Sequence, residues 1–128
     1  MGSKKKGTRT ERELVHMFFD SGWVAVRAAG SGSMPLPCPD IIAGRSGRIL
    51  AIECKSAKDD YIYLTKDEVG ELNSFSKRIG GEAWIGVRFN NRNWAFLRAG
   101  KLKNSGKHFV VNSQLADKKG INFKSLIT

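Results

Sequence analysis

The sequence predicts an α/β domain with a mixed central β-sheet flanked by helices. Two segments place apolar residues at helical spacing behind a capping-box start, one at residues 8–11 and one at residues 65–68. Short runs rich in β-branched and aliphatic residues fill the space between them and beyond, three after the first helix and two after the second. That order spreads helices over a sheet rather than packing them in a bundle. A chain of 128 residues is one domain with enough length for a real core.

The elements follow in order. Residues 1–7 are rich in Lys and Gly and read as a flexible basic arm that can track phosphates. The first helix is expected from the 8–11 box to about Ser21, with Leu14, Val15, Phe18 and Phe19 as its apolar stripe and Gly22 as its stop. Residues 23–27 read as a strand. They lead into a small, polar, Gly-rich loop over 28–33, which has neither the GxxxxGK[ST] pattern nor the following helix of a nucleotide-binding loop. The proline-rich stretch 34–39 excludes regular structure.

Residues 39–43 and 49–55 read as two strands joined by the turn Gly44-Arg45-Ser46-Gly47. Residues 61–64 alternate as a brief extended segment whose tyrosines either meet a partner or pack. The box at Thr65 and Glu68 opens a second helix to about Arg78, with Val69, Leu72, Phe75 and Ile79 on one face and Gly80-Gly81 at its end. Residues 82–89 and 94–98 form two strands around an Asn-rich turn. Residues 99–107 read as a basic loop, 108–111 as an edge strand, and the remainder as a weakly structured tail or short helix. His16 and His108 have no partner pattern and read as ordinary surface or packing residues.

Charge narrows the function classes. With 22 basic and 12 acidic residues the chain carries a formal +10, which favours a polyanionic partner. No apolar run approaches the roughly 20 residues of a membrane span, and no basic helix carries a bulky apolar face for a bilayer. Nucleic acid is therefore the expected partner, and no membrane is. Cys38 and Cys54 have no zinc-ligand spacing, and Cys54 reads as an inward thiol of a reduced, intracellular protein.

One grouping within this basic chain carries chemistry. Alternation along a strand puts Glu53 and Lys55 on one face and Cys54 on the other. Pairing of the two strands as a hairpin then brings Asp40 to both. Two carboxylates and an ammonium at a sheet rim can hold a divalent ion through oxygen and keep a cation beside an attacking water or a phosphate. A cluster of acids in so basic a protein would repel DNA unless a metal ion sat among them. The same residues could also be a solvated strand end with a local ion pair. Glu11 likewise has two readings: a cap for its helix, or a third metal oxygen.

The segments Thr10-Glu11-Arg12-Glu13, Val26-Arg27, Pro39-Asp40-Ile41-Ile42-Ala43, Glu53-Cys54-Lys55 and Ser74-Phe75-Ser76-Lys77-Arg78-Ile79-Gly80-Gly81 resemble the archaeal Holliday junction resolvases of the Hjc type. These belong to the PD-(D/E)xK nucleases. The resemblance runs from about residue 7 to residue 98, in order and at matching spacing. It implies a restriction-endonuclease-like core and a structure-selective endonuclease that resolves four-way DNA junctions, in DNA recombination and repair, by paired symmetric nicks. It further implies that Glu11, Asp40 and Glu53 bind Mg2+, with Mn2+ as a substitute, and that Lys55 positions or activates the water. Ser31 would be the loop serine near the active site, and Arg12 and Arg27 would contact the junction. A homodimer through the second helix would place Phe75 and Ile79 at the subunit contact, against the alternative that they pack on their own sheet. The apolar Met34-Pro35-Leu36-Pro37 departs from the charged loop common in relatives. A related nuclease of linear duplex DNA, or a basic module that binds nucleic acid without cutting it, are the other readings. For structure-selective junction binding, affinity should fall steeply with salt and depend little on sequence.

Overall fold

A tight hairpin forms the base on which the rest is assembled. Strands β2 (Ile41–Arg45) and β3 (Arg48–Ala57) run antiparallel, with Ile41 opposite Ile52 and Arg45 opposite Arg48. Between them only Ser46 and Gly47 turn the chain, both at positive φ (49° and 87°). Such primed turns match the twist of the paired strands. In the computed structural model, residues 2–28, 36–58, 60–102, 104–105 and 108–128 are described.

Around the hairpin a five-stranded mixed sheet forms in the order β1-β2-β3-β5-β6. Strand β1 (Val24–Arg27) adds antiparallel to β2, β5 (Glu82–Phe89) lies parallel to β3, and β6 (Ala95–Arg98) closes antiparallel to β5. The parallel β3/β5 pair requires a crossover, which strand β4 (Tyr61–Thr65) and helix α2 (Lys66–Ile79) supply. Helix α1 (Gly2–Asp20) covers one face of the sheet through Leu14 and Phe18, which pack with Trp23, Ile41, Ile52 and Phe96. Helix α2 covers the other through Val69 and Leu72, which pack with Ala51, Ile85 and Val87. The expected α/β architecture with a mixed central sheet is the one observed.

The second helix follows its local signals closely. Thr65 is the N-cap: its hydroxyl accepts the Glu68 amide at 3.0 Å while the Glu68 carboxylate accepts the Thr65 amide at 2.9 Å, a complete capping box. Gly80 ends the helix in the left-handed conformation (φ 76°), and Gly81 then passes so close to β3 that a Cβ there would lie 2.9 Å from the Ile49 carbonyl oxygen. Only glycine fits that approach.

The first helix does not begin where expected. It starts at Gly2, so residues 2–7 are helical rather than a separate arm, and the 8–11 box lies inside the helix. Thr10 there bonds back to the Gly7 carbonyl at 3.0 Å, as a threonine in a helix interior does.

The second half holds more order than its polar sequence suggests. The loop expected over 99–107 includes a 3-10 turn (Ala99–Lys101) and a short strand, β7 (Asn104–Ser105). Strand β8 (His108–Asn112) is not an edge: it lies between β4 and β7 in a second, three-stranded sheet. That sheet turns Ile62, Leu64 and Val111 inward to the α2-side core and leaves Tyr61 and Tyr63 exposed. The tail forms helices α3 (Ser113–Lys119) and α4 (Phe123–Leu126), each capped by an Asn side chain. Leu126 is fully buried, and Arg48 donates to its carbonyl at 2.7 Å. Arg48 also forks onto Glu82 (2.8 and 3.1 Å), so the chain end is tied to the sheet.

Candidate active site

The hairpin register decides the centre of the site. Because Ile41 faces Ile52, the preceding Asp40 stands beside Glu53 at the open end of the hairpin. Its Oδ2 accepts the backbone N–H of Cys54 at 2.8 Å, which pins the carboxylate against β3. Alternation does the rest. Ile52 and Cys54 pack toward α1, whereas Glu53 and Lys55 share the α2 face.

Glu53 is mostly buried, and its carboxyl is pushed up to about 9. Burial is the main cause, followed by the charge of Asp40 and a hydrogen bond between the two acids; Lys55 works against the rise and Glu68 adds to it. At neutral pH the pair thus holds a proton, with Glu53 donating to Asp40. Lys55 lies in the same environment with the opposite outcome. Burial alone would lower its pKa, but the bond to Glu68 and the charges of Glu68, Glu53 and Asp40 carry it above the usual lysine value. The ammonium stays charged.

Glu11 reaches this group from α1. Burial and the nearby Asp40 raise its carboxyl, against Arg27, whose Nε donates to Glu11 Oε1 at 3.1 Å. Arg27 also donates to the Thr8 hydroxyl at 3.3 Å. Since the helix begins nine residues earlier in the chain, at Gly2, Glu11 caps nothing. Helix α1 is held over the site partly by Glu13, which accepts Trp94 Nε1 at 2.9 Å and pairs with Arg88 at 3.4 Å.

The other expected site residues are dispersed. Arg12 is exposed on α1 beside Glu11, and Arg27 is engaged with Glu11. Ser31 lies outside the described residues, as do Met34 and Pro35. Phe75 is half-buried against the α2-side core, while Ile79 is 37% exposed. Both cysteines are free thiols, and His16 and His108 are exposed.

One residue of the cluster was hidden from the sequence. Glu68 looks fully explained as the third residue of a capping box, yet its second oxygen accepts Lys55 Nζ at 2.6 Å. Glu68 and Glu53 also border a small hollow of about 40 Å³ with Glu71, Cys38 and Phe75. No local pattern could reveal this, because the contact crosses from the sheet to the helix.

The donor set suits a hard divalent cation. Among the described residues no three acidic, His or Cys side chains already stand in a coordinating arrangement. Even so, the partly buried carboxyls of Asp40 and Glu53, hydrogen-bonded to each other, with Glu11 near enough to feel the charge of Asp40, offer oxygen ligands that a cation would relieve of their mutual repulsion. Asp40 and Glu53 would hold it, and Glu11 would join on leaving Arg27.

The chain is similar to known proteins over most of its length. A family model described as archaeal Holliday junction resolvase (Hjc) matches residues 2–128. The chain is 39% identical over 112 residues to the crossover junction endodeoxyribonuclease Hjc of Archaeoglobus fulgidus, covering 88% of this chain and 82% of that protein. It is 35% identical over 129 residues to the Hjc of Sulfolobus acidocaldarius, covering 99% and 90%. A solved structure of Archaeoglobus fulgidus Hjc, titled as a Holliday junction resolvase from an archaeal hyperthermophile, superposes with a TM-score of 0.88 at 34% identity, over 95% of this chain and all of that one. The likeness therefore extends through the C-terminal part, beyond the residues whose motifs carry the resemblance.

Proposed function

The chain belongs to the archaeal Holliday junction resolvase family, and we propose that it resolves four-way DNA junctions by paired symmetric nicks at the site around Asp40 and Glu53. It is an endonuclease acting on DNA, with a divalent metal as its cofactor. The observation that carries the assignment of the site is the hairpin register, which sets Asp40, pinned by the Cys54 amide at 2.8 Å, beside the strand that bears Glu53 and Lys55.

Mg2+ is the cofactor that these oxygens favour, with Mn2+ as a substitute. When bound, such an ion lowers the pKa of a coordinated water and polarises a phosphate oxygen. Asp40 and Glu53 would hold the ion, and the Cys54 amide fixes the Asp40 carboxylate against β3. The Lys55 ammonium, charged at neutral pH, offsets the negative charge that grows at phosphorus or orients the attacking water; it does not act as a free base. Glu11 would serve as a further oxygen ligand for the ion once released from Arg27, whose guanidinium would then be available to a phosphate, with Arg12 as a further phosphate contact. Ser31 would be the loop serine that serves the reaction.

The chain acts as one nuclease domain, as a homodimer, on DNA in the cytoplasm. No helix among the described residues is long and apolar enough to cross a membrane. Two nicks placed symmetrically across a junction call for two sites related by a two-fold axis. An apolar surface fits a second copy: Val24 and Val26 on the α2 face of β1 are 62% and 64% exposed, Leu36 is 68% exposed, and Ile79 projects from α2. Beside α2, Leu36, Pro37, Phe75 and Ile79 line a groove of about 500 Å³.

Incubation with a labelled immobile junction and Mg2+ tests the reading. Paired nicks from the wild type are expected, with none from Asp40→Asn, Glu53→Gln or Lys55→Ala while junction binding survives. Equal cutting of linear duplex would favour a general nuclease. No cutting at any metal concentration would leave a binding module only.

A further inference from the structure

Glu68 divides its carboxylate between two elements. Oε1 accepts the Thr65 amide at 2.9 Å and closes the N-terminus of α2, while Oε2 accepts the Lys55 ammonium at 2.6 Å. The helix end is thereby joined to the sheet strand that carries Glu53 and Lys55. A lysine side chain has four rotatable bonds and a compact charge that settles on the strongest nearby anion. The competing acceptors here are the carboxyl oxygens of the Asp40–Glu53 pair, both residues being close enough to act on Lys55. Those are also the oxygens that a divalent cation needs. Without Glu68 the ammonium would drop onto the acidic pair and compete with the ion for it.

We propose that Glu68 is a positioning residue of the nuclease: it draws the Lys55 ammonium off the Asp40–Glu53 pair, leaving the pair open to the cation and the ammonium free to face the scissile phosphate. The inference rests on the assignment of Lys55 to the active site. Glu68 itself is held ionised for this task. Although burial pushes its carboxyl up, the hydrogen bonds from Lys55 and Thr65 bring it below the ordinary value.

Two substitutions separate this role from helix capping. Glu68→Gln retains an oxygen for the Thr65 amide and loses the charge, whereas Thr65→Ala removes the hydroxyl half of the cap and leaves Lys55 and Glu68 in place. Single-turnover cleavage of a labelled junction by Glu68→Gln should fall about ten- to a hundred-fold, the usual cost of losing an outer hydrogen-bond partner at a metal site. Mn2+ binding to the DNA-free protein, followed by calorimetry, should weaken by a similar factor, with Tm and metal-free junction binding unchanged. Thr65→Ala should lower Tm and keep both the rate and the Mn2+ affinity.

Wild-type cleavage or unaltered Mn2+ affinity in Glu68→Gln would overturn the proposal, as would a loss of rate matched by a fall in Tm like that of Thr65→Ala. Full activity in Lys55→Ala would instead remove the lysine from the site, a failure of the underlying assignment that is distinguishable from a failure of Glu68 alone.

Discussion

At the scale of the residue, the Asp40–Glu53 pair couples stability to pH and to metal. Glu53 has an ordinary value of 4.5 and is raised to about 9 in the folded protein. Between those two values the native state holds a proton that the unfolded state has lost. The stability of the metal-free protein therefore falls as pH rises through that window, by up to about 1.4 kcal/mol per pH unit for one group, and levels off above it. Thermal melts from pH 6 to 9 should show this decline. A divalent cation takes the proton's place, so added Mg2+ or Mn2+ should raise Tm more at pH 8.5 than at pH 6. Glu53→Gln should flatten the pH dependence in this range and abolish the metal-induced rise. Its metal-free Tm at pH 8 should be no lower than the wild type's, because a buried carboxyl that is costly to ionise has been replaced by a neutral amide.

At the scale of the element, α2 both completes the parallel crossover and presents Glu68 to Lys55. Its ends therefore matter for position as well as for stability. Removing the Thr65 hydroxyl should cost about 1 kcal/mol in urea unfolding, the usual value of an N-cap side chain. Gly81→Ala should cost more, about 1–3 kcal/mol, because the added methyl meets the Ile49 carbonyl oxygen, a backbone atom of the strand that bears Glu53 and Lys55. A fully stable Gly81→Ala protein would show that the helix-to-strand junction can yield. Helix α1 is placed by a different device. Glu13 binds Trp94 and Arg88 at the far strands of the sheet, which fixes the helix that brings Glu11 toward Asp40.

At the scale of the whole molecule, one sheet serves two purposes. The open end of its β2–β3 hairpin carries the acids, and the exposed apolar side of β1 with the outer face of α2 is the proposed dimer contact. Ile79→Asp places a charge in that contact without touching Asp40, Glu53 or Lys55. Light scattering after size exclusion should show a monomer, and junction cleavage should fall to unpaired single nicks. A dimer of undiminished stability would move the contact elsewhere.

The sequence by itself determined what depends on neighbours in the chain. The β2–β3 hairpin, the alternation that sends Glu53 and Lys55 one way and Cys54 the other, and the cap and glycine stop of α2 all follow from rules that act over a few residues. The meeting of Asp40 with Glu53 follows from the hairpin as well, although its turn is tighter than the Gly44–Gly47 stretch expected: β2 runs to Arg45 and β3 starts at Arg48, so Ser46 and Gly47 alone close it. Tertiary structure decided what depends on distant segments meeting. The start of α1 at Gly2 silenced a capping motif that reads well locally, and the burial of Leu126 ordered a tail with weak patterning. Glu11 was paired with Arg27, and Glu68, already accounted for by its own helix, was given a second partner. Local propensities are set by a residue and its few neighbours, whereas a carboxylate's partner and its pKa depend on which charges, and how little water, the finished fold brings around it.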